Sequence, residues 1–175
     1  MAQGNMVGYQ VSPNNANFEY VTDGANVWLK VYNNSTALTD GRPYFVGTYV
    51  DATDTSNPII YPVLGAPATN ATETNIIGIV DNGVFGTSGI AASTWGYVCL
   101  KGYCSAYVDG TTDVVIGDGL EILNAGVALT QKSSASSGVL TTVLPEVCAI
   151  ALEAYTSATA ALKKVVLLGK QVQVD

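Results

Sequence analysis

The 175-residue chain contains no histidine. That absence removes Ser-His-Asp and Cys-His catalysis and any imidazole general base. Carboxylate pairs, Lys or Tyr are left as the groups from which acid–base chemistry would have to be built. With only three cysteines, Cys99, Cys104 and Cys148, the usual four-ligand zinc constellations cannot be assembled either. Charge is scarce as well: charged residues are 12% of the chain, about half the share that soluble domains carry. Asn, Thr, Ser, Gly and Ala stand where Lys and Glu would normally be. Such an exterior suits secreted β proteins and subunits of large assemblies, in which neighbours cover much of the surface. It does not suggest a free cytosolic enzyme, and no enzymatic activity is expected.

Seven basic residues against fourteen acidic ones give a net charge of −7. The basic residues are scattered apart from Lys163-Lys164, so no positive stripe follows a phosphate backbone and nucleic acid is not an expected partner. No window approaches the roughly 20 apolar residues that span a bilayer, and "MAQGNMVGYQ" has neither a basic n-region nor an apolar h-region. The expectation is a protein made and kept without export through a membrane, with no membrane partner and with its odd number of thiols reduced.

What the chain does have is short apolar runs bounded by Asn, Asp, Gly, Pro or Thr. They include "MVGYQV", "NVWLKVY", "YFVGTYV", "NPIIYPVL", "NIIGIV", "GYVCLKGYCSAYV", "DVVIGDGLEIL", "EVCAIALEAY" and "LKKVVLLG". Runs of five to eight residues rich in Val, Ile and Tyr read as strands, and the fold class is all-β. In "NVWLKVYNN", Val27, Leu29 and Val31 alternate with Trp28, Lys30 and Tyr32, as in a strand with one wet side. "CAIALEAYTSATAALKKV" also carries helix-favouring residues. Its "TSAT" interruption and the alternation of "VCAIALEAY" favour two strands joined by a loop at Ser157 to Ala160. "TQKSSASSGVLTT", Thr130 to Thr142, reads as an exposed loop. The organisation expected is an extended arm over residues 1–20, an irregular β region over 21–75, and a small barrel module over 76–175.

Within "WGYVCLKGYCSAYVDGTTDVVIGDGLEIL", Cys99 and Cys104 would point to opposite faces of one continuous strand. If Lys101-Gly102 were instead a hairpin tip, they would be cross-strand neighbours. Asp109, Asp113 and Asp118, with Asp51 and Asp54, lack the spacing of a calcium loop. Asp109-Gly110 and Asp118-Gly119 read as turn dipeptides, with Asp bonding nearby backbone and Gly supplying positive φ. Asn33, Asn34 and Asn70 each begin an N-x-S/T sequence that chance explains in so Asn- and Thr-rich a chain. Lys101 lacks the flanks of a biotin or lipoyl carrier lysine. No cofactor and no metal are expected.

The segment "GYVCLKGYCSAYVDGTTDVVIGDGLEI", followed by "NAGVALT" and "AIALEAYTSATAALKKVVLLG", resembles a family of tailed-phage capsid decoration (cement, head-stabilisation) proteins. The likeness runs from about Ile76 to Val174. It lies in an alternating strand pair, a "VDG" turn, a "GD" turn before Leu, and "ALEAY" leading into "VVLLG". The resemblance implies a small β barrel or β-tulip on the outside of an icosahedral virion, often a homotrimer, bound between major capsid proteins. On that reading the N-terminal arm, with Met1, Met6, Val7 and Tyr9 as anchors, adds a strand to a neighbouring sheet edge. Aromatic residues such as Tyr44, Phe45, Tyr49 and Tyr61 would be covered by sister subunits. Two rivals share the composition: a phage tail, baseplate or fibre component, and a carbohydrate-binding domain using Trp28 and Tyr32 as stacking platforms.

Overall fold

The computed structural model describes residues 7–10, 19–33, 36–50, 60–64, 75–86, 88–123, 128–132, 147–169 and 171–172. No helix occurs among them. The strands are β1 (Val7–Gln10), β2 (Glu19–Asp23), β3 (Asn26–Asn33), β4 (Pro43–Val50), β5 (Ile60–Leu64) and β6 (Asn75–Val80). They continue with β7 (Thr94–Asp109), β8 (Gly119–Ile122), β9 (Leu129–Gln131), β10 (Ala149–Ala151), β11 (Ala161–Leu168) and β12 (Gln171–Val172). The disputed "CAIALEAYTSATAALKKV" segment is indeed two strands, β10 and β11, because its alternating small and branched residues have a core to face.

The architecture turns on β7, which is 16 residues long. Its C-terminal half belongs to a closed barrel of five strands: β7 pairs β11, β11 pairs β10, β10 pairs β8, β8 pairs β9, and β9 returns to β7 in parallel. Its N-terminal half pairs β3 and β6, which are linked through β4 and β5 into a second circuit. That circuit closes where Tyr32 meets Val63 in parallel. β2 and β1 extend the sheet beyond β3 as antiparallel neighbours, and β12 pairs the start of β6. The sequence boundary between residues 75 and 76 thus falls at the beginning of β6, whose partners β4 and β7 lie on either side of it.

Each circuit has its own filling. Leu29, Val31, Tyr44, Val80, Val98 and Leu100 form one buried cluster. Ala106, Val108, Leu120, Leu129, Ala149 and Val165 belong to the other, which continues to Trp28, Ile79 and Cys99. Val98 and Leu100 therefore face one core, while Ala106 and Val108, at positions of the same parity, face the other. A β-bulge makes the switch. In the β3–β7 ladder Val27 pairs Lys101 but Trp28 pairs Cys99, so Leu100 is an extra residue on β7. One extra residue inverts the alternation beyond it. Gly102 permits this with φ of 99°, a backbone state that side chains with a Cβ rarely adopt. A Cβ there would also strike the Asn26 side chain and lie 2.7 Å from the Ala25 carbonyl oxygen. The Asn26 Oδ1 in turn accepts the Tyr103 amide at 2.7 Å.

The structure corrects several expectations. Lys101-Gly102 is no hairpin tip, because β7 runs through it. The Cys99–Cys104 parity argument for a continuous strand also fails, because the bulge brings both residues to the same core. Thr130 and Gln131 belong to β9 rather than to a loop, held by β8 and β7 on either side. The positive φ of the "GDG" turn lies at Gly117, not Gly119. Gly110 also keeps φ negative and is instead needed for close approach, since a Cβ there would sit 2.6 Å from the Tyr155 carbonyl oxygen. Tyr44 needs no sister subunit: it is buried within the chain and its hydroxyl accepts the Thr39 amide at 3.3 Å. Phe45, Tyr49 and Tyr61 have side chains outside the described set.

Asn33, first of the N-x-S/T asparagines, is fully buried. Its Nδ2 donates to the carbonyls of Thr36 (2.9 Å), Ile90 (3.1 Å) and Ala91 (3.1 Å). It ties the end of β3 to the turn that launches β7, which no glycan-bearing amide could do. Asn33→Asp would set a carboxylate against three carbonyl oxygens and is expected to cost about 3 kcal/mol or more in urea denaturation. Gly102→Ala is expected to cost at least ~2 kcal/mol through strain at the bulge, with the same measurement as the check.

Candidate functional site

Trp28 is the residue around which a site can be built. Alternation along β3 places it opposite Leu29 and Val31, on the face read from the sequence as wet. The structure buries it to 2% exposure, because the second core cluster covers that face at this point. It therefore cannot be an exposed sugar platform. Its ring meets Phe85 edge-on at 5.2 Å, and Phe85 stacks on Tyr97 at 4.1 Å. Tyr32, the other proposed platform, is half-buried and tilts against Trp95 at 5.3 Å, with the Lys30 ammonium 5.8 Å from the Trp95 ring.

Phe85 is brought to Trp28 by a residue that sequence reading missed. Asp81, just after β6, is 1% exposed. Its Oδ1 accepts the Val84 amide at 2.8 Å and its Oδ2 the Phe85 amide at 3.0 Å. The carboxylate thereby folds the Asn82–Gly86 segment into a compact turn and fixes where the Phe85 ring lies. "DNG" after an apolar run was the available signal, since Asp before a turn commonly caps nearby amides.

Beside Trp28 lies a hollow of about 300 Å³ at the junction of β3, β7 and β11. Its walls include Trp28, Val84, Tyr103, Cys104, Lys164 and Val165. Among the described residues that line it there is no carboxylate; the Trp28 Nε1–H is buried from the hollow and has no acceptor among the described residues. A buried donor without a partner costs about 1–3 kcal/mol. The hollow sets the Cys104 thiol and the Lys164 side chain in a largely apolar surround.

Of the carboxylates singled out in the sequence, Asp109 accepts the Thr111 amide at 2.8 Å. Asp118 accepts the Val115 amide at 2.8 Å and the Gln131 Nε2 at 2.7 Å. They serve separate turns, and Asp113 is exposed. Asp51 and Asp54 lie outside the described residues. Among the described residues no group of three His, Cys, Asp or Glu side chains is arranged to hold a metal ion. Lys101 sits mid-strand, paired to Val27 and Leu168. Of the arm anchors, Val7 and Tyr9 lie on β1, opposite Thr22 and Tyr20 of the same chain, whereas Met1 and Met6 lie outside the described residues.

No protein-family model matches this sequence, and no curated protein matches it. Among solved structures, the N base of the head fiber gp8.5 of bacteriophage phi29 is similar over 85% of this chain and 99% of that one. The TM-score is 0.45 and the identity 12%. At that level the likeness assigns no function.

The three cysteines are free thiols. A hydrogen bond between the Cys104 and Cys99 thiols, then burial, then the neighbouring Cys99 and Cys148 sulfurs push the Cys104 thiol well above its ordinary range. The unfolded thiol ionises near pH 8.5, about the value of an unperturbed cysteine. Above that pH the unfolded chain has lost a proton that the folded chain keeps, so stability is full below the unfolded value and falls as pH rises toward the folded one. Thermal melts from pH 8 to 10.5 are expected to show a decline in Tm that is shallower in Cys104→Ala than in the parent.

Proposed function

We propose that this chain is a structural protein of a tailed-phage head, a decoration subunit on the outer surface of the mature capsid, bound between major capsid proteins. The observation that carries the reading is the strand and turn pattern of residues 76 to 174. That pattern resembles the decoration family, and in this chain it lies on a closed barrel whose Asp109 and Asp118 carboxylates are engaged by turn amides. Low charge supports it, since a subunit packed among neighbours needs little. No catalysis, cofactor, nucleic acid or membrane enters the proposal.

The mechanism is linkage. A subunit that binds the mature lattice and not its immature or dissociated forms adds its binding free energy to the mature state. Repetition by symmetry multiplies a modest contribution of a few kcal/mol per site into resistance to internal pressure. A closed barrel suits this role because it has no edge to deform. Attachment is assigned to the N-terminal arm, with Met1, Met6, Val7 and Tyr9 as contacts. β1 is the outermost strand of its sheet and, among the described residues, pairs only β2, so its other edge is available to a capsid strand. A homotrimer on the lattice completes the proposal.

Cryo-microscopy and quantitative mass spectrometry of purified particles are expected to find the chain on the outer head surface in hundreds of copies. Absence from the head, or a few tens of copies in the tail, would overturn the reading. Removal of residues 1–9 is expected to lower binding to empty mature capsids at least ~10-fold, which is about 1.4 kcal/mol; undiminished binding would reject the arm.

A further inference from the structure

We infer that Val115 and Ile116 form a second attachment point, a rigid aliphatic knob that enters an apolar socket with a basic rim on the capsid shell protein; the inference rests on the decoration reading. The turn between β7 and β8 is a place where polar residues are expected, yet Val115 is 55% exposed and Ile116 69% exposed. Side by side at one turn, they hold apolar surface in water. The backbone beneath them is pinned. Val114 is fully buried and exchanges two hydrogen bonds of 2.9 Å with Tyr155. Asp118 accepts the Val115 amide at 2.8 Å, and its own amide donates to the Val115 carbonyl at 3.1 Å. The Gly117 amide donates to the Ala151 carbonyl at 2.9 Å. Both knob side chains are β-branched and have few rotamers to lose, so docking costs little ordering entropy.

Charge selects the partner. The turn packs against the loop between β10 and β11, where Gly110 and Val114 meet Ser157 and Tyr155. Residues 109–118 and 152–160 hold Asp109, Asp113, Asp118 and Glu153 and neither Lys nor Arg. Lys163, at the start of β11, is held 4.6 Å from the Tyr155 ring. Asp113 is exposed two residues before the knob. An aliphatic knob among carboxylates docks best where the socket's rim is basic. A second copy is the poorer occupant, since two such turns placed face to face would set acid against acid. The knob also stands apart from the arm. β1 reaches β7 through β2 and β3 between Val98 and Lys101, whereas the knob lies past Asp109 at the C-terminal end of β7. Once one contact of a subunit has formed, the other forms at a raised effective concentration, so knob and arm reinforce each other.

Binding of the full chain to empty mature capsids is measured for the parent and for Val115→Ser/Ile116→Ser, with thermal melts as the control for folding. The double variant is expected to bind at least ~10-fold more weakly with its Tm kept, and Ile116→Val to bind as the parent does. Asp113→Lys is expected to weaken binding at least ~5-fold, and Asp113→Asn to reduce the loss of affinity between about 50 and about 500 mM NaCl. With Ile116→p-benzoylphenylalanine, irradiation of decorated capsids is expected to crosslink the chain to the major capsid protein. The crosslink decides the matter if the double variant melts early. The inference is overturned if the double variant binds like the parent, if Asp113→Lys binds more tightly, or if the crosslink joins two copies of this chain. Failure of the parent itself to bind capsids would instead overturn the decoration reading, and the knob with it.

Discussion

A strand that serves two barrels must present its apolar residues to opposite sides in its two halves, and an unbroken alternation cannot do that. In this chain the conflict is resolved at one place. Leu100 is inserted without a partner, Gly102 takes a backbone state open to glycine, and Asn26 holds the adjoining Tyr103 amide. Everything on either side depends on this inversion: Val98 and Leu100 fill one circuit, Ala106 and Val108 the other, and the two rings share a wall without sharing an interior. The hollow beside Trp28 lies next to this register shift, with Asn26, Trp28, Tyr103 and Cys104 in its wall.

Much of the strand layout was legible because it rests on local chemistry. Runs such as "NVWLKVY", "NIIGIV" and "LKKVVLLG" have the composition and period that a half-covered sheet selects, and they became β3, β6 and β11. The short pieces were not legible. "LTQ" has no alternation to display in three residues, and β9 exists because it closes a ring with β8 and β7, a demand set far away in sequence. The same applies to Val114, read as strand interior, which forms an isolated bridge with Tyr155 while Val115 and Ile116 stand in solvent at the turn.

The residues that shape the hollow were hidden for a different reason. Trp28 was placed on a wet face because a two-faced strand was assumed; a strand between two cores has no wet face at that point. Asp81 was passed over; burial distinguishes it from Asp118, which also accepts a backbone amide three residues away but nearer the surface. Asn33 looked like a sequon and is a buried connector. For Trp28 and Asn33 the residue type was visible and the surroundings were not, because Phe85, Ile90 and Ala91 come from chain segments more than fifty positions away.

Both circuits are completed by parallel contacts, β9 against β7 and β5 against β3, between segments that no tight turn can join. Contacts of this kind carry a loop-closure entropy that must be met before they return any stability, so they form late. A newly made chain therefore carries open sheet edges through most of its maturation and is most prone to join the wrong neighbour in that interval. Once the rings shut, those edges vanish from the two circuits, and among the described strands the outermost one left is β1.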